Sequence, residues 1–138
     1  MGLTLHRKKA EDQLMMTHFR QATDIVFIEA LTIETVIGIY DWERKIRQKV
    51  VFDIEMAADI KAAADSDAID NTLNYKAVAK RIIGFVEQSD FQLVETLAER
   101  VASIIQTEFG VRWLKLKLSK PGAVTGSSAV GVIIQRGQ

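Results

Sequence analysis

The sequence lacks cysteine altogether and has only two histidines among its 138 residues. The absence of cysteine excludes disulfides, thiolate nucleophiles and the common structural zinc sites. The two histidines, His6 and His18, both lie near the N-terminus, so the rest of the chain has no histidine for a serine or cysteine triad. A metal site would have to consist of carboxylates alone, and their spacing indicates none. We therefore predict a protein without a bound metal.

An excess of charge is also missing, because 18 lysines and arginines balance 18 aspartates and glutamates. A balanced chain has no long-range field to hold a polyanion or a membrane surface, so we predict no nucleic-acid partner and no membrane partner. No apolar run reaches the length of a membrane span, and none has the layout of a secretory signal. The glycines form no phosphate-binding loop, which disfavours nucleotide hydrolysis. Together these absences predict a cytoplasmic protein.

The length fits one domain, and 48% apolar residues are enough to bury a single core. Residues 1–23 differ from the rest, because they mix charges with scattered leucine and methionine in no steady period. We predict that residues 1–23 are a poorly ordered N-terminal extension and that residues 24–138 form the single folded domain.

The spacing of apolar residues predicts four strands and two helices. Strands show β-branched runs or strict alternation, and helices show apolar residues at every third or fourth position after a capping residue. The predicted elements are a kinked strand from Ile25, a strand over 49–59, a helix from Tyr75, a helix ending near Gly110, a strand over 113–120 and a last strand around 130–134.

This order of elements suits an α+β fold in which an antiparallel four-stranded sheet carries both helices on one face. The other face of the sheet is not clearly polar, because Val51, Ala57, Gly131 and Ile133 all fall on it. An apolar sheet face without helices favours burial against another subunit. We therefore predict a homo-oligomer.

Four side chains in the predicted domain are candidates for a site, although each has an ordinary structural explanation. Glu95 falls in the first turn of the second helix, where a carboxylate is favoured by about 0.3–1 kcal/mol. The same carboxylate is also a bidentate acceptor for a ligand with two adjacent N–H groups. Lys120 ends a strand, Glu43 lies in a polar loop and Tyr75 starts a helix. Taken one at a time, all four favour the structural explanation.

Four short segments change this balance when they are taken together. From about Asp24 to Arg136 the chain resembles the dihydroneopterin aldolases, and the match is specific as a set although each segment alone is weak. The matching segments are Gly38-Ile39-Tyr40-Asp41-Trp42-Glu43 followed by Gln48, Leu73-Asn74-Tyr75, Leu93-Val94-Glu95-Thr96-Leu97-Ala98-Glu99, and Leu118-Ser119-Lys120-Pro121-Gly122-Ala123.

The resemblance implies the tunnelling fold, in which each subunit has a sheet with two helices. Subunits of this fold join their sheets into a ring-shaped β-barrel, and the active sites lie between neighbours. The implied assembly is a homo-tetramer or a homo-octamer, and the sequence does not decide between them. This expectation agrees with the order of the elements and with the partly apolar second face of the sheet.

The resemblance also implies a binding site for a pterin. By position, Glu95 would bind the 2-amino group and the adjacent ring N–H of the pterin. Backbone groups of Leu73 and Val94 would assist. These three residues are the predicted substrate-binding set.

Three further residues are implied to be catalytic. Lys120 would be the main acid–base residue, Tyr75 would reach in from the neighbouring subunit, and Glu43 would lie near the hydroxylated side chain of the substrate and near the lysine. The sequence does not show whether Lys120 and Glu43 meet. All matched positions keep the functional residue of the family.

The implied reaction is the step of folate biosynthesis that cleaves 7,8-dihydroneopterin into 6-hydroxymethyl-7,8-dihydropterin and glycolaldehyde. Other aldolases obtain an electron sink from a lysine Schiff base or a zinc ion. The dihydropterin ring already carries a C=N bond conjugated to the side-chain carbon. The resemblance therefore implies a lyase that needs only acid–base catalysis and no cofactor.

Three alternatives remain open at this point. An epimerase of dihydroneopterin or dihydromonapterin starts with the same bond cleavage, although the Lys120-Pro121-Gly122-Ala123 run favours the aldolase branch. A pterin-binding module without catalysis would keep Glu95 and would not need Lys120 or Tyr75. A purely structural oligomer would leave the joint match of the four segments unexplained.

Overall fold

The computed structural model describes residues 24–138, and the extension predicted over residues 1–23 lies outside the described residues. The described chain is an α+β domain, as the sequence predicts. Its elements are β1 (Ile25–Thr35), β2 (Gln48–Ala57), α1 (Ile60–Ser66), α2 (Tyr75–Glu87), α3 (Val94–Phe109), β3 (Trp113–Pro121) and β4 (Ala129–Gly137), with single helical turns at Glu43–Lys45 and Ile69–Asn71.

The four strands form one antiparallel sheet in the order β1-β2-β3-β4. Strands that follow one another in the chain are therefore neighbours in the sheet, and the three helices lie in the connection between β2 and β3. The predicted antiparallel four-stranded sheet is confirmed. None of the helices over residues 24–138 is long and apolar enough to cross a membrane.

The core lies between one face of the sheet and the two long helices. Alternate residues of β2 and β3 point to this face, as expected from the twofold repeat of a strand, and the apolar stripes of α2 and α3 cover them. Burying such a side chain contributes about 1.5–3 kcal/mol, so this packing holds both helices against the sheet. The core side chains with at most 1% exposure include Val50, Phe52, Ile54, Met56, Val78, Ile82, Val86, Leu97, Val101, Ile105, Leu114, Leu116 and Leu118.

The opposite face of the sheet mixes charged and apolar side chains. The register pairs Asp53 with Lys117, which places opposite charges side by side near the centre of this face. Phe27 and Ile133 are both more than half exposed there. Ala57 is an exception to the predicted apolar surface, because it is already buried within the chain.

The short helix α1 lies where the sequence predicts a loop. The side chain of Asp59 caps it by accepting a hydrogen bond from the amide of Ala62 at 3.0 Å, and Asp67 ends it in the left-handed conformation. Every residue of α1 is at least partly exposed, so no apolar stripe exists for periodicity to detect. In the local sequence, only the capping aspartate and the alanines favour a helix here.

A bulge in β1 explains the kink predicted for the first strand. The pairing with β2 shifts between Ile28 and Leu31, and Ala30 adopts a φ of 55°. The amide of Ala30 donates to a side-chain carboxylate oxygen of Asp53 on β2 at 2.9 Å. After this bulge, β1 leads into the loop that carries Glu43.

Candidate active site

A cavity of about 600 Å³ opens where the loop after β1, the start of α3 and the ends of β3 and β4 meet. Four of the six predicted site residues line it: Glu43, Val94, Glu95 and Lys120. Their elements are far apart in sequence, and the sheet register together with helix packing brings them to one place. Within residues 24–138, no three carboxylates or histidines gather in a way that would hold a metal ion.

Lys120 and Glu43 form a buried ion pair on one wall of the cavity. The ammonium of Lys120 donates to Oε2 of Glu43, although the two residues are 77 positions apart. Their side chains are only 12% and 5% exposed. The structure therefore answers a question that the sequence leaves open, namely whether this lysine and this carboxylate meet.

The buried carboxylate of Glu43 has hydrogen-bond partners on both oxygens. Gln48 donates from Nε2 to Oε2 at 3.0 Å, and the backbone amide of Tyr40 donates to Oε1 at 3.3 Å. Burial raises the pKa of Glu43, but the hydrogen bonds from Lys120, Gln48 and Tyr40 outweigh it, so the pKa lies below its ordinary value of 4.5. Glu43 is therefore ionised at neutral pH.

Gly38 makes room for this carboxylate. Its φ of +127° is a backbone conformation that side chains rarely allow. A Cβ at this position would lie 2.2 Å from Cδ of Glu43, far inside van der Waals contact. Both the local backbone and the position of Glu43 therefore require glycine here.

Glu95 faces the same cavity from the first turn of α3. Leu93 precedes this helix without a side-chain cap, so the first backbone N–H groups of α3 lack a side-chain acceptor. The Glu95 side chain is exposed, and among the described residues none donates a hydrogen bond to it. An unpaired carboxylate beside free backbone donors is suited to a ligand that offers N–H groups and also accepts hydrogen bonds.

Leu73 and Tyr75 lie away from the cavity of their own chain. Leu73 packs against the core, and Tyr75 begins α2 with 54% of its surface exposed. Neither is among the residues that line the cavity. Within one chain, the structure therefore brings together four of the predicted residues and leaves these two apart.

The mouth of the cavity has an apolar rim to which the sequence analysis assigns no role. Ile39, Tyr40 and Trp42 line the cavity, and each is more than half exposed. All three belong to the 38–43 segment that carries the family resemblance, so their positions were visible in the sequence. Their exposure was not, because it depends on how the loop folds over the cavity.

The chain is similar to known proteins over nearly all of its described residues. Residues 26–135 match the family described as dihydroneopterin aldolase. The dihydroneopterin aldolase of Escherichia coli (strain K12) is 52% identical over 114 residues, which cover 83% of this chain and 93% of that protein. The Haemophilus influenzae dihydroneopterin aldolase is 49% identical over 114 residues, which cover 83% and 97% of the two chains.

A solved structure and a second kind of relative add to the comparison. The crystal structure of the Escherichia coli dihydroneopterin aldolase in complex with neopterin matches with a TM-score of 0.81 and 52% identity, covering 83% of this chain and 99% of that chain. The dihydroneopterin triphosphate 2'-epimerase of Escherichia coli (strain K12) is 30% identical over 114 residues, which cover 83% and 95% of the two chains. The sequence is thus more similar to these aldolases than to this epimerase.

Proposed function

Because this chain belongs to the dihydroneopterin aldolase family, we propose that its cavity binds a dihydropterin through Glu95 and cleaves the side chain of that pterin next to Lys120. The similarity supports a dihydroneopterin aldolase of folate biosynthesis. The products that we expect are 6-hydroxymethyl-7,8-dihydropterin and glycolaldehyde. One observation carries the assignment of the site. An unpaired carboxylate and a buried lysine–carboxylate pair face the same cavity.

The unpaired carboxylate accounts for recognition of the pterin ring. The ring carries a 2-amino group beside a ring N–H, and the two oxygens of Glu95 accept one hydrogen bond from each. Val94, the residue before Glu95, also lines the cavity, so we expect its backbone to assist. The backbone of Leu73 lies away from this cavity, so it would assist only from a neighbouring subunit.

The lysine–carboxylate pair supplies the proton transfers. The amine form of Lys120 takes the proton from the 2′-hydroxyl of the substrate and becomes the ammonium that pairs with ionised Glu43. The C1′–C2′ bond then breaks, its electrons move into the conjugated C=N bond of the ring, and glycolaldehyde leaves. Return of the proton to C1′ gives the hydroxymethyl product. Acid–base catalysis of this kind contributes a factor of roughly 10² to 10⁴.

The charge of the cavity fits a substrate with a neutral side chain. Among the described residues that line it, the charged side chains are Glu43, Glu95 and Lys120, and the lysine is already paired. A triphosphate would need several uncompensated cations, which these residues do not provide. The trihydroxypropyl side chain of dihydroneopterin needs only hydrogen bonds. Epimerisation at C2′ is a second activity to be measured, because it starts with the same cleavage.

We also propose a homo-oligomer, either a tetramer or an octamer, with sites between subunits. The exposed apolar rim of the cavity and the exposed side chain of Tyr75 support this, because both are surfaces that a second copy would bury. In such an assembly Tyr75 enters the cavity of the neighbouring subunit. The cytoplasmic location, inferred from the absence of a secretory signal and of a membrane-length apolar run, stays a prediction.

The first experiment is to incubate the purified protein with 7,8-dihydroneopterin in the presence of a chelator. Chromatography follows glycolaldehyde and 6-hydroxymethyl-7,8-dihydropterin. Release of both products supports the proposed metal-free aldolase site. Accumulation of the C2′ epimer alone would identify an epimerase, and binding without any reaction would leave a pterin-binding module.

Two variants separate recognition from chemistry. Lys120→Ala should keep the affinity for neopterin and lose most of the turnover, whereas Glu95→Ala should lose affinity first. Lys117→Ala and Glu99→Ala are matched controls, because Lys117 lies on the same strand and Glu99 one turn further along α3, both outside the cavity. Equal and small effects of the Lys120 and Glu95 changes would contradict the proposed roles.

A further inference from the structure

Arg44 is a half-buried arginine beside the active site to which nothing above assigns a role. Its Nη1 donates to the backbone carbonyl of Gly38 at 2.9 Å and to that of Phe91 at 3.1 Å. Its Nη2 donates to the carbonyl of Asp90. One guanidinium thus binds three main-chain carbonyls, and its fork of fixed donors suits this arrangement better than an ammonium would.

These carbonyls belong to two segments, one leading to each half of the site. One half is the acid–base pair of Glu43 and Lys120, and the other is the pterin anchor Glu95. Gly38 lies in the loop that places Glu43, and Arg44 follows Glu43 in the same helical turn. Asp90 and Phe91 lie in the connection between α2 and α3, a few residues before Glu95. Arg44 therefore bridges the loop of the acid–base pair and the segment that leads into the pterin anchor.

We propose that Arg44 is a positioning residue that fixes the loop of Glu43 relative to the start of α3, and so sets the separation between the acid–base pair and Glu95. The proposal rests on the function assigned above. Cleavage requires the pterin ring to be held at one end while the 2′-hydroxyl reaches the other. A misplacement of about 1 Å at such a site lowers the rate by roughly 10².

The two halves of the site depend on Arg44 to different degrees. The turn that carries Glu95 is fixed by the core, because Leu97 and Ala98 are fully buried on the inner side of α3. The loop of Glu43 has one buried apolar anchor, Ile37, which lies six residues before Glu43. The rest of the loop is held mainly by polar contacts, including those of Glu43 itself with β2 and β3. Loss of the guanidinium should therefore displace Glu43 and leave Glu95 in place. Turnover should fall while the binding of the pterin ring persists.

Arg47 offers a matched control within the same loop. Its Nη2 donates to the carbonyls of Glu34 at 2.7 Å and of Glu87 at 3.1 Å. It is therefore also an arginine that clamps two backbone segments, but its partners lie at the ends of β1 and α2 and outside the cavity lining. A purely structural role for Arg44 predicts that both arginines behave alike.

The test compares Arg44→Met, Arg44→Lys and Arg47→Met in the full chain. The measurements are kcat and KM with 7,8-dihydroneopterin, the Kd of neopterin and the melting temperature. We expect Arg44→Met to lower kcat about tenfold or more while the Kd changes by less than about threefold, and Arg47→Met to keep kcat within about twofold. Arg44→Lys retains the charge but not the fork, so its kcat should lie between those of Arg44→Met and the wild type.

Several results would overturn the proposal. One is an equal loss of kcat in Arg44→Met and Arg47→Met, and another is a Kd that rises as much as kcat falls. If Arg44→Met does not fold, Arg44→Lys decides, and a wild-type kcat in that variant contradicts the positioning role. Absence of turnover in the wild type would instead contradict the proposed function, so the two failures are distinguishable.

Discussion

At the scale of single residues, Glu43 shows what a buried carboxylate requires. Removing an ion from water is costly unless its oxygens find donors inside the protein. Lys120, Gln48 and the amide of Tyr40 together provide these donors. Tyr40 and Gln48 stand three and five positions from Glu43, so most of this environment is local in sequence. The lysine is the distant part, because it lies 77 positions from Glu43 in the sequence.

The lowered pKa of Glu43 predicts a pH dependence of stability. A carboxyl group whose pKa is lower in the folded state than in the unfolded state stabilises the fold at pH values above the unfolded-state pKa. This stabilisation is lost as the pH falls through the pKa of the folded state. Glu43→Gln should therefore lower the free energy of unfolding by about 1–3 kcal/mol at neutral pH. The difference between the variant and the wild type should shrink as the pH falls below 4.5. Urea unfolding at several pH values measures it, and a difference that does not change with pH would contradict the ionised state.

Gly38 gives a second prediction at this scale. Gly38→Ala should push the carboxylate of Glu43 away from Lys120, because the new Cβ would overlap Cδ of Glu43. We expect a loss of about 1–3 kcal/mol in stability from this overlap. A fall in kcat of about tenfold or more should accompany it, because the acid–base pair is displaced. Thermal unfolding and steady-state kinetics are the measurements.

Gly84 supplies the control for this substitution. It lies inside α2, and a Cβ there would meet no described atom within 4 Å. Gly84→Ala should raise stability by about 0.5–1 kcal/mol, because glycine is unfavourable in a helix interior. Its kcat should equal that of the wild type. If Gly38→Ala also kept wild-type kcat, the tight fit around Glu43 would not matter for catalysis.

At the scale of elements, the contribution of an N-cap to stability depends on whether its helix packs against the core, as α1 and α2 show. The side chain of Asn74 caps α2 by accepting from the amide of Ala77 at 3.1 Å, and Asp59 caps α1 in the same way. The helix α2 buries Val78 and Ile82 in the core, whereas every residue of α1 is at least partly exposed. The same kind of hydrogen bond therefore supports the global fold in α2 and only a local turn in α1.

This difference predicts separate outcomes for two cap substitutions. Asn74→Ala should lower the global free energy of unfolding by about 1 kcal/mol, which is typical for loss of an N-cap. Asp59→Ala should leave the melting temperature nearly unchanged and lower hydrogen-exchange protection only over 60–66. Equal shifts in melting temperature would mean that α1 is coupled to the core more tightly than its exposure indicates.

At the scale of the whole molecule, the cavity and its predicted tyrosine lie on different surfaces of one chain. Tyr75 begins α2, whereas the cavity lies at the start of α3 and the ends of β3 and β4. Both surfaces expose apolar side chains, among them Trp42 at the cavity and Ile69 near Tyr75. A site completed by a second copy would use both surfaces.

Mixed oligomers test this composite site. Lys120→Ala and Tyr75→Phe should each be poorly active alone, because every site in either protein lacks one group. After joint unfolding and refolding, some sites would take Lys120 from one subunit and Tyr75 from another, roughly a quarter of them in a random mixture. Recovered turnover in the mixture supports sites between subunits. A mixture no more active than its components would contradict them.

The sequence by itself determined the elements of the main fold, and its resemblance to a family supplied the candidate site residues. Alternation over 113–120 and the helical stripe after Tyr75 are local patterns, and they hold because a strand or helix buries one face regardless of its partners. The family resemblance then pointed to Glu95, Lys120 and Glu43 as a set. The sequence did not predict the helix α1, because this helix has no stripe of buried apolar residues.

Only the tertiary structure decided how these residues meet. The contact between Lys120 and Glu43 spans 77 positions and depends on the register of β3 and on the path of the loop after β1. The clamp formed by Arg44 and the separation of Tyr75 from the cavity of its own chain arise in the same way. A local period carries no information about such contacts, because they are set by how the loops and elements pack against one another.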